Sequence, residues 1–109
     1  LQSLKSHKKN IFYKNIGKAD ITYLVNFQLL NKFLLNKKFF LNRIVSQNFF
    51  LKKLGILERA EILSKNASFK EKSDLYYRLD RLLSKKKMGS LFKVLFASND
   101  KGKFNLGFK

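Results

Sequence analysis

Apolar residues recur at three-, four- and seven-residue intervals from Ile44 onward. Ile44, Phe49, Leu51, Leu54, Ile56, Leu57, Ala60 and Leu63 alternate with Lys52, Lys53, Glu58, Arg59 and Glu61, the period of an amphipathic helix with a broad apolar face. The pattern stops at Lys65, Asn66 and Ala67. Ser68 then stands three residues before Glu71, the spacing of a capping box, in which each side chain accepts from the other residue's free backbone N–H. This predicts a second helix from about Phe69, with Leu75, Tyr76, Leu79, Leu82 and Leu83 along its stripe. It runs into Lys85, Lys86 and Lys87, cations suited to the negative end of a helix, just before Met88 and Gly89.

Upstream, Tyr23, Phe27, Leu30, Leu34 and Leu41 form another helical stripe, with Asp20 as a plausible N-cap. A membrane span needs about 20 mostly apolar residues, and Lys32, Lys37 and Lys38 cut this stretch short. Downstream, residues 91–97 are almost wholly apolar, residues 98–102 are a strong turn signal, and Phe104, Leu106 and Phe108 then alternate with Asn105 and Gly107. That pattern predicts a β-hairpin, or extended chain threaded into a partner with Phe104 and Phe108 filling pockets or stacking on bases. The expected fold is therefore mainly α: a helical hairpin with an N-terminal amphipathic helix and an extended or β-hairpin basic C-terminal segment, and not an independent compact globule. Residues 1–19 read as a basic tail, 20–90 as the helical region and 91–109 as the C-terminal segment.

Charge sharpens this picture. The chain has 109 residues and a formal net charge of +17, far beyond what a free-standing domain of this size usually carries. Between 58 and 81, six basic side chains face five of the seven carboxylates, so nearly all of the surplus sits on the flanks. A polyphosphate is the expected partner, because lysines that neutralise closely spaced phosphates release condensed counterions. Lysine, asparagine and phenylalanine are abundant, and Pro, Trp and Cys are absent. That bias follows A/T-rich codons and suggests a mitochondrial, plastid, intracellular bacterial or viral genome. Without cysteine there are no disulfides or thiolate metal sites. The first residues are basic but lack the apolar core of a secretory signal, so no leader is assigned.

The arrangements that announce catalysis are missing. There is no Cys nucleophile, no His paired with an acid at readable spacing, no Gly-rich phosphate loop and no paired His. His7 stands alone in a charged stretch and is read as solvated. Glu58 with Glu61, and Asp74 with Asp80, read as members of surface ion pairs, such as Asp74 with Arg78. No enzyme activity, cofactor, metal or small-molecule substrate is expected.

The order helix, Asn-containing loop, helix, basic turn resembles the fourteenth small-subunit ribosomal protein family, in its cysteine-free organellar branch. Two stretches carry the resemblance: Arg59-Ala60-Glu61-Ile62-Leu63-Ser64-Lys65-Asn66-Ala67-Ser68-Phe69-Lys70-Glu71-Lys72, and Leu79-Asp80-Arg81-Leu82-Leu83-Ser84-Lys85-Lys86-Lys87-Met88-Gly89-Ser90. The second would fall where that family places a basic turn on ribosomal RNA, with Ser84 at the family's proline. The resemblance covers about residues 43–90. It implies a small-subunit ribosomal protein that contacts ribosomal RNA and neighbouring ribosomal proteins, in a mitochondrion, with a plastid or a bacterial cytoplasm as alternatives.

The expected RNA-binding residues are Lys85, Lys86, Lys87, Lys93, Lys101 and Lys103, which supply charge to phosphates. Arg59, Arg78 and Arg81 offer forked guanidinium contacts, and Ser90 offers a hydroxyl donor. Two alternatives come from other classes. One is a DNA-binding or packaging protein of an A/T-rich genome. The other is a peripheral membrane protein that uses residues 20–41 as a basic amphipathic helix.

Overall fold

The computed structural model describes residues 2–11, 13–102 and 105–109. Its contacts divide the chain into two units, Leu1–Leu30 and Asn31–Lys109.

In the first unit, strand β1 (Gln2–Lys5) is the centre of a three-stranded antiparallel sheet, between β2 (Lys8–Asn10) and β3 (Asp20–Thr22). Ser6 and His7 make the two-residue β1–β2 turn, both with positive φ (50° and 63°), the backbone twist that suits a tight hairpin. Ser3 is buried, and the Asn10 amide reaches its hydroxyl as well as the carbonyls of Ile11 and Lys14. Asn15 in turn donates to Asn10 and accepts from Lys5. Hydrogen-bonded amides hold this unit where an apolar core would otherwise do so.

Asp20 pairs with Leu4 in this sheet, so it does not cap a helix. The first helix, α1 (Phe27–Asn36), starts seven residues later and is capped by Asn26, whose Oδ1 accepts from Leu29 N–H at 3.1 Å. At its end Phe39 N–H bonds back to Leu34 O and Lys38 N–H to Leu35 O, with Lys38 left-handed at φ 64°, a closure usually made with glycine.

The second unit is built on two two-stranded antiparallel sheets that follow one another along a single line of pairing, the ladder. β4 (Phe40–Leu41) pairs with β7 (Ala97–Ser98), and β5 (Val45–Ser46) pairs with β6 (Lys93–Val94). Between the two pairs, Asn42, Arg43 and Ile44 face only Leu95 and Phe96, a one-residue bulge bridged by Asn42 N–H to Phe96 O. The helices α2 (Gln47–Lys53), α3 (Ile56–Ser64), α4 (Phe69–Leu83) and α5 (Met88–Leu91) form the excursion from one side of this ladder to the other.

Local chemistry sets their boundaries. Ser46 caps α2 by accepting from Phe49 N–H. Gly55, at φ 86°, breaks α2 from α3 although the apolar spacing continues through it. The Ser68–Glu71 capping box opens α4 as expected, with both reciprocal bonds made. The last carbonyls of α4 are taken by α2: Gln47 donates to Leu82 O and Asn48 to Leu83 O, which satisfies acceptors that a helix end leaves open. α5 then approaches so closely that a Cβ on Gly89 would overlap the Leu83 carbonyl.

The core of this unit holds Val45, Ala60, Leu83 and Phe108. The Phe108 ring meets Phe50 at 5.3 Å and Phe96 at 6.2 Å, and its carbonyl accepts from Arg43 Nε at 2.9 Å. Gly107, at φ 84°, lets Phe50 lie against the backbone where a Cβ would come within 2.5 Å of its ring.

A mainly α hairpin with an extended or hairpin C-terminal tail, not an independent compact globule, is therefore not what the chain forms. The fold is mixed, with 43% helix and 17% strand. The reason is that residues 93–98 pair back across the chain with residues 40–46 and not forward with residues 105–108. The expected single helix through Leu54 is two helices, and the expected helix over 20–41 is helical only at Phe27–Asn36, with the short strands β3 and β4 at its two ends.

Candidate nucleic-acid interface

Where α4 ends, the chain runs through Ser84, whose hydroxyl accepts from Lys86 N–H, and turns into α5. The backbone bonds Lys87 N–H to Ser84 O and Gly89 N–H to Ser84 O make this turn tight. It displays Lys85, Lys86 and Lys87, all exposed. Asp80 on the last turn of α4 accepts from Lys87 Nζ, and the same ammonium stands 5.7 Å from the Tyr77 ring centroid. Among the described residues Lys87–Asp80 is the one ion pair. Asp74 and Arg78 make none, although their spacing suggests it.

The other expected contact residues are spread over the second unit. Arg59 lies on α3, and Arg78 and Arg81 lie on α4, all exposed. Ser90 is half-buried on α5, close to the lysine turn in sequence and structure. Lys93 is exposed on β6, where it pairs with Ser46. Lys101 follows β7, and Lys103 lies outside the described residues. The structure thus gathers Lys85, Lys86, Lys87 and Ser90 near one turn, and leaves Arg59 on α3 apart from Arg78 and Arg81, which neighbour each other on α4. Phe104 also lies outside the described residues. Phe108 is 4% exposed and is spent on the protein's own core, so it does not stack on bases.

Two basic groups escaped the sequence reading. Because Phe40 pairs with Ser98, the ladder register carries Lys37 and Lys38 to the same end as Lys101. Lys53 and Arg43 both stand over the Phe49 ring, at 5.5 and 4.7 Å from its centroid, a cation–π stack that keeps cations at the surface near α2. Neither the end of α2 at Lys53 nor the strand pairing that assembles the first group shows in the hydrophobic period.

The site's electrostatics come from unneutralised cations. The Glu71 carboxylate is held below the usual glutamate range by the Ser68 backbone N–H and then by the Ser68 side chain, a purely structural effect. Among the described residues no group of three or more His, Cys, Asp or Glu side chains is placed to hold a metal ion, and no helix is long and apolar enough to cross a membrane.

No family model and no curated protein matches the sequence. The fold does superpose on part of the crystal structure of an uncharacterized COG1565-superfamily protein from Burkholderia thailandensis, with a TM-score of 0.77 and 22% identity. The match covers 97% of this chain and 28% of that one. The chain therefore spans little more than a quarter of the similar structure, and the likeness shows a shared fold.

Proposed function

We propose that this chain binds RNA by neutralising its phosphates and works inside a larger ribonucleoprotein, a mitochondrial ribosomal subunit being the assembly its sequence resemblance names. The observation that carries this reading is the imbalance of charge. There are 24 lysines and arginines against seven carboxylates, with the one Lys87–Asp80 pair among the described residues. Cations left without carboxylate partners repel one another, and a polyanion offsets that repulsion while releasing its counterions. The turn at Lys85, Lys86 and Lys87 is the principal contact, with Lys93 and the Lys37, Lys38 and Lys101 group as flanking contacts. These are phosphate contacts, which fix position on the RNA and read no sequence.

The test is sedimentation of the tagged chain through a gradient in its own cells. Co-sedimentation with a ribosomal subunit, with crosslinks to ribosomal RNA at the lysine turn, supports the reading. Recovery in ribosome-free fractions alone contradicts the ribosomal assignment.

A second reading is favoured by the coverage of the structural match. A fold that occupies 28% of a longer chain in Burkholderia thailandensis would act here too as one part of a longer protein, with its charge turned toward an acidic neighbour. Recovery of these residues from their own cells within a longer polypeptide, free of RNA, would select this reading.

A further inference from the structure

The helices leave much of their apolar surface uncovered. Leu57 is 46% exposed, Tyr76 48% and Phe69 90%.

Part of this surface is shaped. Between α2, α3 and α4 lies an open hollow of about 390 Å³ whose apolar walls are Leu57, Tyr76, Leu79 and Leu83, with Lys52 and Asp80 at its polar side. Asp80 is engaged by Lys87, while Lys52 has no carboxylate partner among the described residues. Ser84 also lines the hollow, which puts the start of the lysine turn at its rim.

We propose that this hollow is a docking site for another protein, and that it takes a leucine-like side chain from a partner helix whose flanking carboxylates face Lys52. The geometry follows the usual anatomy of an interface hot spot, an apolar anchor in a pocket surrounded by a polar rim. Charge selects the partner. A second copy of this chain, itself +17 overall, adds repulsion between the two bodies, whereas an acidic helix removes repulsion as it buries apolar surface.

The experiment uses the full chain and two synthetic helical peptides of equal negative charge. In one, leucines recur at helical spacing between glutamates; in the other, each leucine is serine. The leucine peptide is expected to bind at least about tenfold tighter, and methyl spectra of the unsubstituted chain should show it shifting Leu57, Leu79 and Leu83 while leaving Leu29 and Leu35 in place. Leu57→Ser and Tyr76→Ser should each erase the difference between the peptides, while Ile62→Ser, on α3 but outside the hollow, should preserve it. Equal binding of the two peptides, or methyl shifts that avoid the hollow, would overturn the proposal, as would a stable homodimer of the chain alone in sedimentation velocity. The methyl spectra decide the matter even where a serine variant fails to fold.

Discussion

The two units of this chain are held by different chemistry. In the N-terminal sheet, the side chain that disappears from solvent is Ser3, and Asn10 and Asn15 join the strands and loops through their amides. In residues 31–109, Val45, Leu83 and Phe108 are buried, and two glycines admit close approaches that a methyl group would block. Hydrogen bonds in the first unit are made largely between residues close in sequence, whereas Arg43 to Phe108 closes a separation of 65 residues in the second. Apolar burial is the larger source of stability and depends on distant parts of the chain meeting, so the second unit should unfold cooperatively. The first should open locally at lower free energy.

Phe108→Ala gives the strongest way to break this comparison. It should destabilise residues 31–109 by about 3 kcal/mol or more, read as an earlier denaturant midpoint. Hydrogen exchange in the β1–β2 hairpin should stay unchanged. Equal loss of protection in both units would show that they are one cooperative body.

Next in size, Asn10→Ala should cost about 1–3 kcal/mol, because it leaves the buried Ser3 hydroxyl short of a donor, while the exposed Ile11 and Lys14 carbonyls turn to water. Amide exchange in β1–β3 should report the loss, and the α4 amides should not.

Ser68→Ala, which removes the cap of α4, should cost about 1 kcal/mol and raise exchange in its first turn. Acid sharpens this point. The folded Glu71 pKa lies below its ordinary value of 4.5. Its stabilising contribution is therefore complete above the ordinary glutamate range and is lost as pH falls through the lower folded pKa. Fraying of the α4 N-terminus should appear below about pH 4.5, and Glu71→Gln should remove that pH dependence.

What was legible in the sequence follows the same division between local and distant causes. The capping box at Ser68 and Glu71 and the length of α4 were readable because their causes lie within one helical turn. The break at Gly55 was hidden because Leu54, Ile56 and Leu57 keep helical spacing across it, and a left-handed glycine leaves no mark on hydrophobic period. β4 to β7 are two residues each, too short for alternation to show, and their partners lie some fifty residues away. Asp20 carried the right chemistry for a cap, but pairing with Leu4 took it into a sheet. The lysine turn was visible as a run. The carriage of Lys37 and Lys38 toward Lys101, and the burial of Phe108 in the core, became visible only with the ladder and its bulge in place.

The central claim is that the uncompensated cations of this chain are met by RNA phosphate, and the dependence of RNA affinity on salt tests it most directly. Titration of a labelled single-stranded RNA at several salt concentrations should give log affinity falling linearly with log salt. Replacing Lys85, Lys86 and Lys87 by alanine should flatten that slope by about 2, at roughly 0.7 for each phosphate no longer neutralised. An RNA affinity that is absent at low salt, or a slope unmoved by the triple substitution, would contradict the account.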